Sequence, residues 1–138
     1  MRGGDCAVRA GESMSPTQRT LAALKAKGMR CGIVERFNRF GGPHGIRQDL
    51  FGIIDIIAIH PDRGVVGIQS TGQDFAGHYR KLTQDEAEST AAWLSTPGAS
   101  LELWGWRKLK AQRGGKRMKW EPRVLQITPE MIHNPLSA

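Results

Sequence analysis

The sequence predicts a single α/β domain in the order helix, three strands, helix, two strands. Three observations lead to this prediction. The chain has 138 residues, a length that suits one domain around one core. Two apolar, β-branched runs at 50–59 and 65–68 are separated by a short polar turn, which indicates paired strands. Helix start and stop signals lie on both sides of these runs.

The first helix is predicted from the capping signals at its two ends. Ser15 suits the N-cap, Pro16 the first helical position, and Gln18 completes a capping-box pattern. Gly28 is expected to end this helix, because glycine readily adopts the left-handed conformation that follows a helix. Residues 31–37 are then predicted to form the first strand.

The segments around these elements are predicted to be irregular. Residues 1–13 are rich in glycine and show no apolar period, so we expect a mobile N-terminal tail. Residues 38–48 contain three glycines and one proline, and we expect a loop that leads into the central strand. The domain itself is predicted to span 14–128, with a short helical turn or tail at 129–138.

The central hairpin is organised by its turn, HPDRG, in which proline fixes φ and glycine allows a positive φ. If Ile59 pairs with Val65, the antiparallel register places Asp55 opposite Gln69, with Thr71 on the same face. These three polar side chains would then lie close enough to converge on one ligand.

Asp55 is the first candidate functional residue. A carboxylate among isoleucines is unfavourable unless it is paired, hydrogen-bonded or bound to a metal. A structural role, with bonds to the backbone or to an arginine, stays open. Asp49 lies beyond the end of the second strand in the same register, so we expect it to be a loop or strand-start residue.

The second half of the chain predicts one helix and a second hairpin. Thr83 and Glu86 form a capping-box pattern for a helix that runs to about Ser95. Residues 100–106 alternate apolar and polar or aromatic side chains, which is typical of a strand. Residues 120–128 are predicted to form the return strand.

A basic stretch, residues 107–119, connects these two strands. It contains seven lysines or arginines and no acid, whereas the whole chain has 20 basic and 13 acidic residues and a net charge of +7. The net charge is therefore equivalent to this one stretch, next to Trp104, Trp106 and Trp120. Such a concentration predicts phosphate-backbone binding, although a solvated surface is the alternative. The candidate nucleic-acid-binding residues are Arg107, Lys108, Lys110, Arg113, Lys116, Arg117 and Lys119.

Composition also indicates the cellular setting. Cys6 and Cys31 form neither a disulfide framework nor a metal-knuckle spacing, which favours a reducing compartment. No apolar run approaches the ~18 residues of a membrane span, and the N-terminus lacks a signal-peptide core. We therefore expect a cytoplasmic protein with no membrane partner.

The sequences IDIIAI at 54–59 and GIQST at 67–71 resemble the PD-(D/E)XK nuclease superfamily, which includes archaeal Holliday-junction resolvases. In that superfamily an Asp on the second core strand and a Glu-x-Lys on the third bind divalent metal and activate water. Asp55 matches the family's Asp, and Gln69 occupies the position of the Glu. Thr71 stands at the position of the lysine, and an isoleucine replaces the usual proline before the Asp.

The resemblance covers about residues 15–128 and implies a restriction-endonuclease-like mixed sheet flanked by helices. It implies Mg²⁺ or Mn²⁺ bound by Asp55 and Gln69, with Glu35 as a candidate third carboxylate. Lys81 is the candidate for a catalytic lysine that has moved away from its usual position. For Glu35 the alternative is an exposed side chain paired with an arginine, and for Lys81 it is a solvated or phosphate-binding side chain.

The function that the resemblance and the basic stretch indicate together is a divalent-metal-dependent endonuclease acting on DNA. Branched or junction DNA is a candidate substrate, and a homodimer is a candidate assembly, as in junction-cutting relatives. Two other functions stay open. One is a catalytically inactive nuclease-fold protein that binds nucleic acid, favoured by the lack of an acid at 69 and a lysine at 71. The other is a basic RNA-binding or assembly module in which Asp55 is structural.

Overall fold

A five-stranded mixed sheet with helices on both faces forms the core of the computed structural model, which describes residues 14–132. The helices are α1 (Pro16–Ala26), α2 (Phe75–Arg80) and α3 (Ala87–Leu94), with a π-helical segment (Lys81–Asp85) and a 3-10 turn (Pro129–Met131). The strands are β1 (Arg30–Ile33), β2 (Arg36–Asn38), β3 (Ile46–Gln48), β4 (Ile56–His60), β5 (Gly64–Thr71), β6 (Ala99–Lys110) and β7 (Met118–Ile127). The predicted α/β class is confirmed.

The five strands lie in the order β1-β4-β5-β6-β7. Every neighbouring pair is antiparallel except β5 and β6, which are parallel. Parallel neighbours need a long crossover, because the chain has to return to the end from which it started. The segment with α2, the π-helical segment and α3 supplies this crossover.

Helices cover both faces of the sheet, and the alternation of side chains along each strand divides the core in two. On one face Leu24 of α1 packs with Ile56 and Ile68. On the other face Leu82 of the π-helical segment packs with Leu101. Because both faces are buried, the central strands carry apolar residues at successive positions rather than at alternate ones.

The central hairpin has the predicted register. Ile59 pairs with Val65 and Ile57 with Gly67. Gly64 in the turn has φ +73°, which explains the need for glycine there. Asp55 directly precedes β4, and its backbone N–H donates to Ile68 at 2.9 Å, so the pairing extends to this residue.

The predicted first strand, residues 31–37, is wrong in its extent. After Ile33 the chain leaves the sheet, and β2 pairs with β3 in a separate two-stranded sheet. The predicted loop at 38–48 therefore contains a strand. The apolar residue Phe37 at the end of this run favours one continuous core strand, but Phe37 is 60% exposed in the structure.

The predicted helical start at Thr83 is also wrong. The helical segment begins at Phe75, where the side chain of Asp74 accepts a hydrogen bond from the N–H of Gly77. Thr83 lies inside the π-helical segment, and its hydroxyl donates to the carbonyl of Tyr79 at 2.8 Å. A threonine hydroxyl can satisfy a carbonyl four residues earlier as well as cap a helix, so the sequence pattern alone was ambiguous.

The second hairpin is longer than predicted, because its two strands pair up to Lys110 and Met118. The predicted loop at 107–119 therefore shrinks to a turn at 111–117. Four of its basic residues lie on the strands, namely Arg107, Lys108, Lys110 and Lys119.

The predicted tail at residues 1–13 lies outside the described residues, as do residues 133–138. Within the described part, the 3-10 turn at Pro129–Met131 agrees with the expected short helical turn. No helix of residues 14–132 is both long enough and apolar enough to cross a bilayer.

Candidate functional site

Three carboxylates converge at one end of the sheet. Glu35, Asp49 and Asp55 each place one oxygen within 4.8 Å of the other two, and they could hold a metal ion. Glu35 follows the end of β1, and Asp55 precedes β4, so the pairing of Ile33 with Ile56 brings these two residues together. We call these three residues the carboxylate cluster.

Asp55 is the most buried member, with 5% of its surface exposed. Its Oδ2 accepts hydrogen bonds from the backbone N–H and the hydroxyl of Ser70, both at 3.1 Å. Its Oδ1 is buried and has no hydrogen-bond partner among the described residues. Burial raises the pKa of Asp55 to about 7, and the charges of Asp49 and Glu35 add to this effect despite the bonds from Ser70.

Asp49 has the opposite electrostatic setting. Burial alone raises its pKa, but the hydrogen bonds and charge of Lys81 and the bond from Gln69 outweigh burial and hold the pKa below its usual range. Its Oδ2 lies 2.7 Å from Lys81 Nζ and 2.9 Å from Gln69 Nε2. At neutral pH the cluster thus combines an ionised Asp49 with an Asp55 that is partly protonated.

Asp49 was expected to be an ordinary loop residue, and the structure places it in the cluster instead. The chain turns back tightly after it, since the N–H of Gly52 donates to the carbonyl of Asp49 at 3.0 Å. Phe51 and Gly52 both have positive φ, at 57° and 76°. The Phe-Gly pair is the one sequence signal for this turn. The strand register, extended back to residue 49, instead places Asp49 beyond the end of the sheet.

Gln69 is 1% exposed, and both ends of its amide are engaged. Its Nε2 donates to Asp49 and to the carbonyl of Ile53 at 3.0 Å. Its Oε1 accepts from Lys81 Nζ at 3.1 Å and lies 2.8 Å from His78 Nδ1. Gln69 therefore links the cluster to the crossover, and its predicted role as a metal ligand stays a prediction.

Lys81 contacts the cluster through Asp49, which is the position that a catalytic lysine moved away from residue 71 would need. It reaches the cluster because the π-helical segment continues α2 beside the end of β5. Thr71, at the position where the resemblance places a lysine, is a buried residue that ends β5. The catalytic role of Lys81 stays a prediction.

His78 is a site residue that the sequence did not suggest. It precedes Lys81 by three residues, and positions three apart in a helix share a face. This spacing is the sequence signal that places His78 beside Lys81. Burial and then the charge of Lys81 lower the pKa of His78. The neutral ring therefore predominates at neutral pH, and the tautomer with its proton on Nδ1 donates to Oε1 of Gln69.

The side chains present fit a hard divalent cation. Mg²⁺ and Mn²⁺ prefer carboxylate oxygens, and the cluster offers three of them. Lys81 neutralises Asp49 and Arg47 pairs with Glu35 at 3.3 Å, whereas Asp55 has no ion pair among the described residues. A buried carboxylate oxygen without a partner is the group that a cation would satisfy.

The basic residues of the second hairpin are exposed and lie at the same end of the sheet as the cluster. Thr71, the last residue of β5, is aligned with Gly105 of the parallel β6. Beyond that point β6 continues to Lys110 and carries the basic residues past the end of β5. The sequence could not show this, because it does not reveal that β5 and β6 are parallel.

Comparisons of the chain with protein-family models, with curated proteins and with solved structures find no match. The resemblance to PD-(D/E)XK nucleases therefore stays a prediction.

Proposed function

We propose that the chain is a divalent-metal-dependent endonuclease that hydrolyses DNA phosphodiester bonds. The observation that carries this proposal is the carboxylate cluster, in which the buried Oδ1 of Asp55 lacks a partner among the described residues. Glu35, Asp49 and Asp55 would hold Mg²⁺ or Mn²⁺, which would supply Lewis-acid chemistry towards a phosphate oxygen and an attacking water.

The remaining groups of the site have roles that follow from their contacts. Lys81 Nζ carries the positive charge nearest to the cluster and is held by Asp49 and Gln69. An ammonium fixed in this way can stabilise the negative charge that develops on a phosphate during cleavage. Asp49, being ionised, fixes the lysine in place, and Gln69 fixes both of them.

DNA is the proposed substrate because the cluster and the basic hairpin lie at the same end of the sheet. A phosphate backbone that follows β6 and β7 meets a row of exposed lysines and arginines. The resemblance adds branched or junction DNA as the candidate structure and a homodimer as the candidate assembly.

A second candidate function is a protein of the same fold that binds nucleic acid without cutting it. One observation favours it, namely that the amide of Gln69 is fully engaged by protein groups and supplies no free anionic oxygen. The position of the family's Glu would then hold a neutral amide that binds no metal, and Lys81 would be structural.

A nicking assay separates these candidates. Supercoiled plasmid, linear duplex, single strand and a four-way junction are incubated with Mg²⁺, Mn²⁺ or EDTA, with Asp55→Asn as the matched inactive control. We expect metal-dependent cleavage of at least one DNA form by the natural chain alone. Binding of DNA without cleavage in either metal would establish the second candidate.

A further inference from the structure

A concave pocket of about 700 Å³ lies at the end of β5. Pro16 of α1 and Gly72, the residue after β5, form part of its wall. The neighbouring Thr17 bonds to Ser70 at 3.2 Å, and Ser70 in turn holds Asp55. The end of β5 therefore connects the pocket to the cluster through Ser70.

The chemistry of this pocket is cationic and aromatic. The charged side chains in its lining are all basic, and no aspartate or glutamate belongs to the lining in the described part of the chain. Three aromatic residues, Phe75, Trp106 and Trp120, complete the wall. The basic members are Arg19, Arg107, Lys108 and Arg123.

Two of these rings, those of Phe75 and Trp120, carry a stacked guanidinium. Arg19 Cζ lies 4.0 Å from the centre of the Trp120 ring, and Arg123 Cζ lies 4.1 Å from the centre of the Phe75 ring. Trp120 is 43% exposed, whereas Trp104 on β6 is 1% exposed. Trp120 therefore lies, with Arg19 over one face of its ring, in a positively charged recess rather than in the core.

A flat surface in a recess selects its ligand by shape. The bases of a DNA duplex are stacked on one another, so their faces are not available to a protein ring, whereas an unpaired base exposes both faces. Aromatic and guanidinium groups stack on any base, and nearby lysines and arginines bind the flanking phosphates. Lys108 pairs with Trp120 across the hairpin and is placed for this second task.

We propose that this pocket binds an unpaired nucleotide of single-stranded DNA, with the base stacked on Trp120 and the flanking phosphates on Arg19 and Lys108. The inference rests on the proposed function and deepens it, because it makes the substrate a DNA with an unpaired segment next to the cleaved bond. Nucleotide binding itself requires neither the metal nor the carboxylates.

The test is therefore made in EDTA, with a fluorescently labelled oligothymidine and a duplex of equal length. Stacking on one aromatic ring accounts for about fivefold to more than a hundredfold in affinity. We expect Trp120→Ala to weaken single-strand binding at least about fivefold while leaving duplex binding within twofold. Trp120→Phe retains a stacking ring and should keep most of the affinity.

Tryptophan emission gives a second readout that does not depend on Trp120→Ala folding normally. The other three tryptophans are partly or fully buried. Unlabelled oligothymidine should quench the emission of the natural chain, and most of the quenching should disappear in Trp120→Phe, because Trp106, the other tryptophan of the lining, is only 7% exposed. Quenching that is undiminished in Trp120→Phe would place the base elsewhere and overturn the proposal.

Phe40→Ala is the matched control, because Phe40 is 83% exposed and also has an arginine over its ring, at 5.1 Å. An equal loss in both alanine variants, or an equal loss on duplex and single strand for Trp120→Ala, would refute a pocket for unpaired DNA. Tighter binding of oligouridine RNA than of oligothymidine would overturn the choice of DNA. If the natural chain bound oligothymidine in EDTA but cleaved no DNA in Mg²⁺ or Mn²⁺, the nuclease proposal would be refuted and the pocket would stand.

Discussion

Asp55→Asn tests whether the buried carboxylate is kept for metal binding at the expense of stability. Asparagine has nearly the same shape, and its carbonyl can accept the two hydrogen bonds that Ser70 donates to Oδ2. Its amide nitrogen then takes the place of Oδ1, which lacks a partner among the described residues. The substitution therefore removes one of the three carboxylates and introduces a hydrogen-bond donor into a cluster of acceptors.

The magnitude follows from the pKa of Asp55, which burial raises from its ordinary value of 3.8 to about 7. Between these two pH values the folded chain binds a proton that the unfolded chain has released, so the stability of the metal-free protein falls as pH rises. At about 1.36 kcal/mol per unit, the loss approaches about 4 kcal/mol above pH 7. Asparagine does not titrate, so this loss is absent from the variant.

Chemical denaturation in EDTA at pH 4.5 and pH 8 measures this difference. We expect similar stabilities at pH 4.5 and a more stable variant at pH 8, by up to about 4 kcal/mol. Mg²⁺ should stabilise the natural chain and not the variant, because a ligand that binds only the folded state adds to its stability. Titration calorimetry with Mg²⁺ and Mn²⁺ should show binding to the natural chain alone.

Asp62→Asn is the control, because Asp62 is an exposed carboxylate in the turn between β4 and β5. It should change neither metal binding nor the pH dependence. If Asp55→Asn destabilised the chain at both pH values while metal binding persisted, Asp55 would be a structural residue and the proposed metal centre would be wrong.

Three further predictions concern the neighbouring groups. Lys81→Ala should lower the single-turnover cleavage rate by about 10²- to 10³-fold without weakening Mg²⁺ binding, and an unchanged rate would show that the lysine is structural. Gln69→Glu should destabilise the metal-free protein, because a carboxylate then faces the acceptors to which the amide now donates. It should also tighten Mg²⁺ binding in calorimetry, and weaker binding would contradict this prediction. Replacing Lys116, Arg117 and Lys119 by alanine should weaken DNA binding uniformly and reduce the log-log salt slope by roughly 0.9 for each lost phosphate contact, while Mg²⁺ binding survives. An unaltered slope in anisotropy titrations would mean that these three side chains are only solvated.

Some features of this protein follow from short stretches of sequence. The register of the central hairpin follows from the HPDRG turn, and the start of α1 follows from Ser15, whose hydroxyl accepts the N–H of Gln18 at 3.1 Å. Asp55 stood out because a carboxylate among isoleucines requires an explanation. These features are determined locally, since turn dihedrals, caps and side-chain alternation depend on only a few neighbouring residues.

The composition of the site was decided by the tertiary structure. Asp49 joins the carboxylate cluster because positive φ values at Phe51 and Gly52 fold the chain back, and Glu35 joins it because β1 pairs with β4. The basic hairpin lies at the same end of the sheet because β6 is parallel to β5 and longer than it. Each of these placements depends on contacts between segments far apart in the chain, which no local pattern in the sequence specifies.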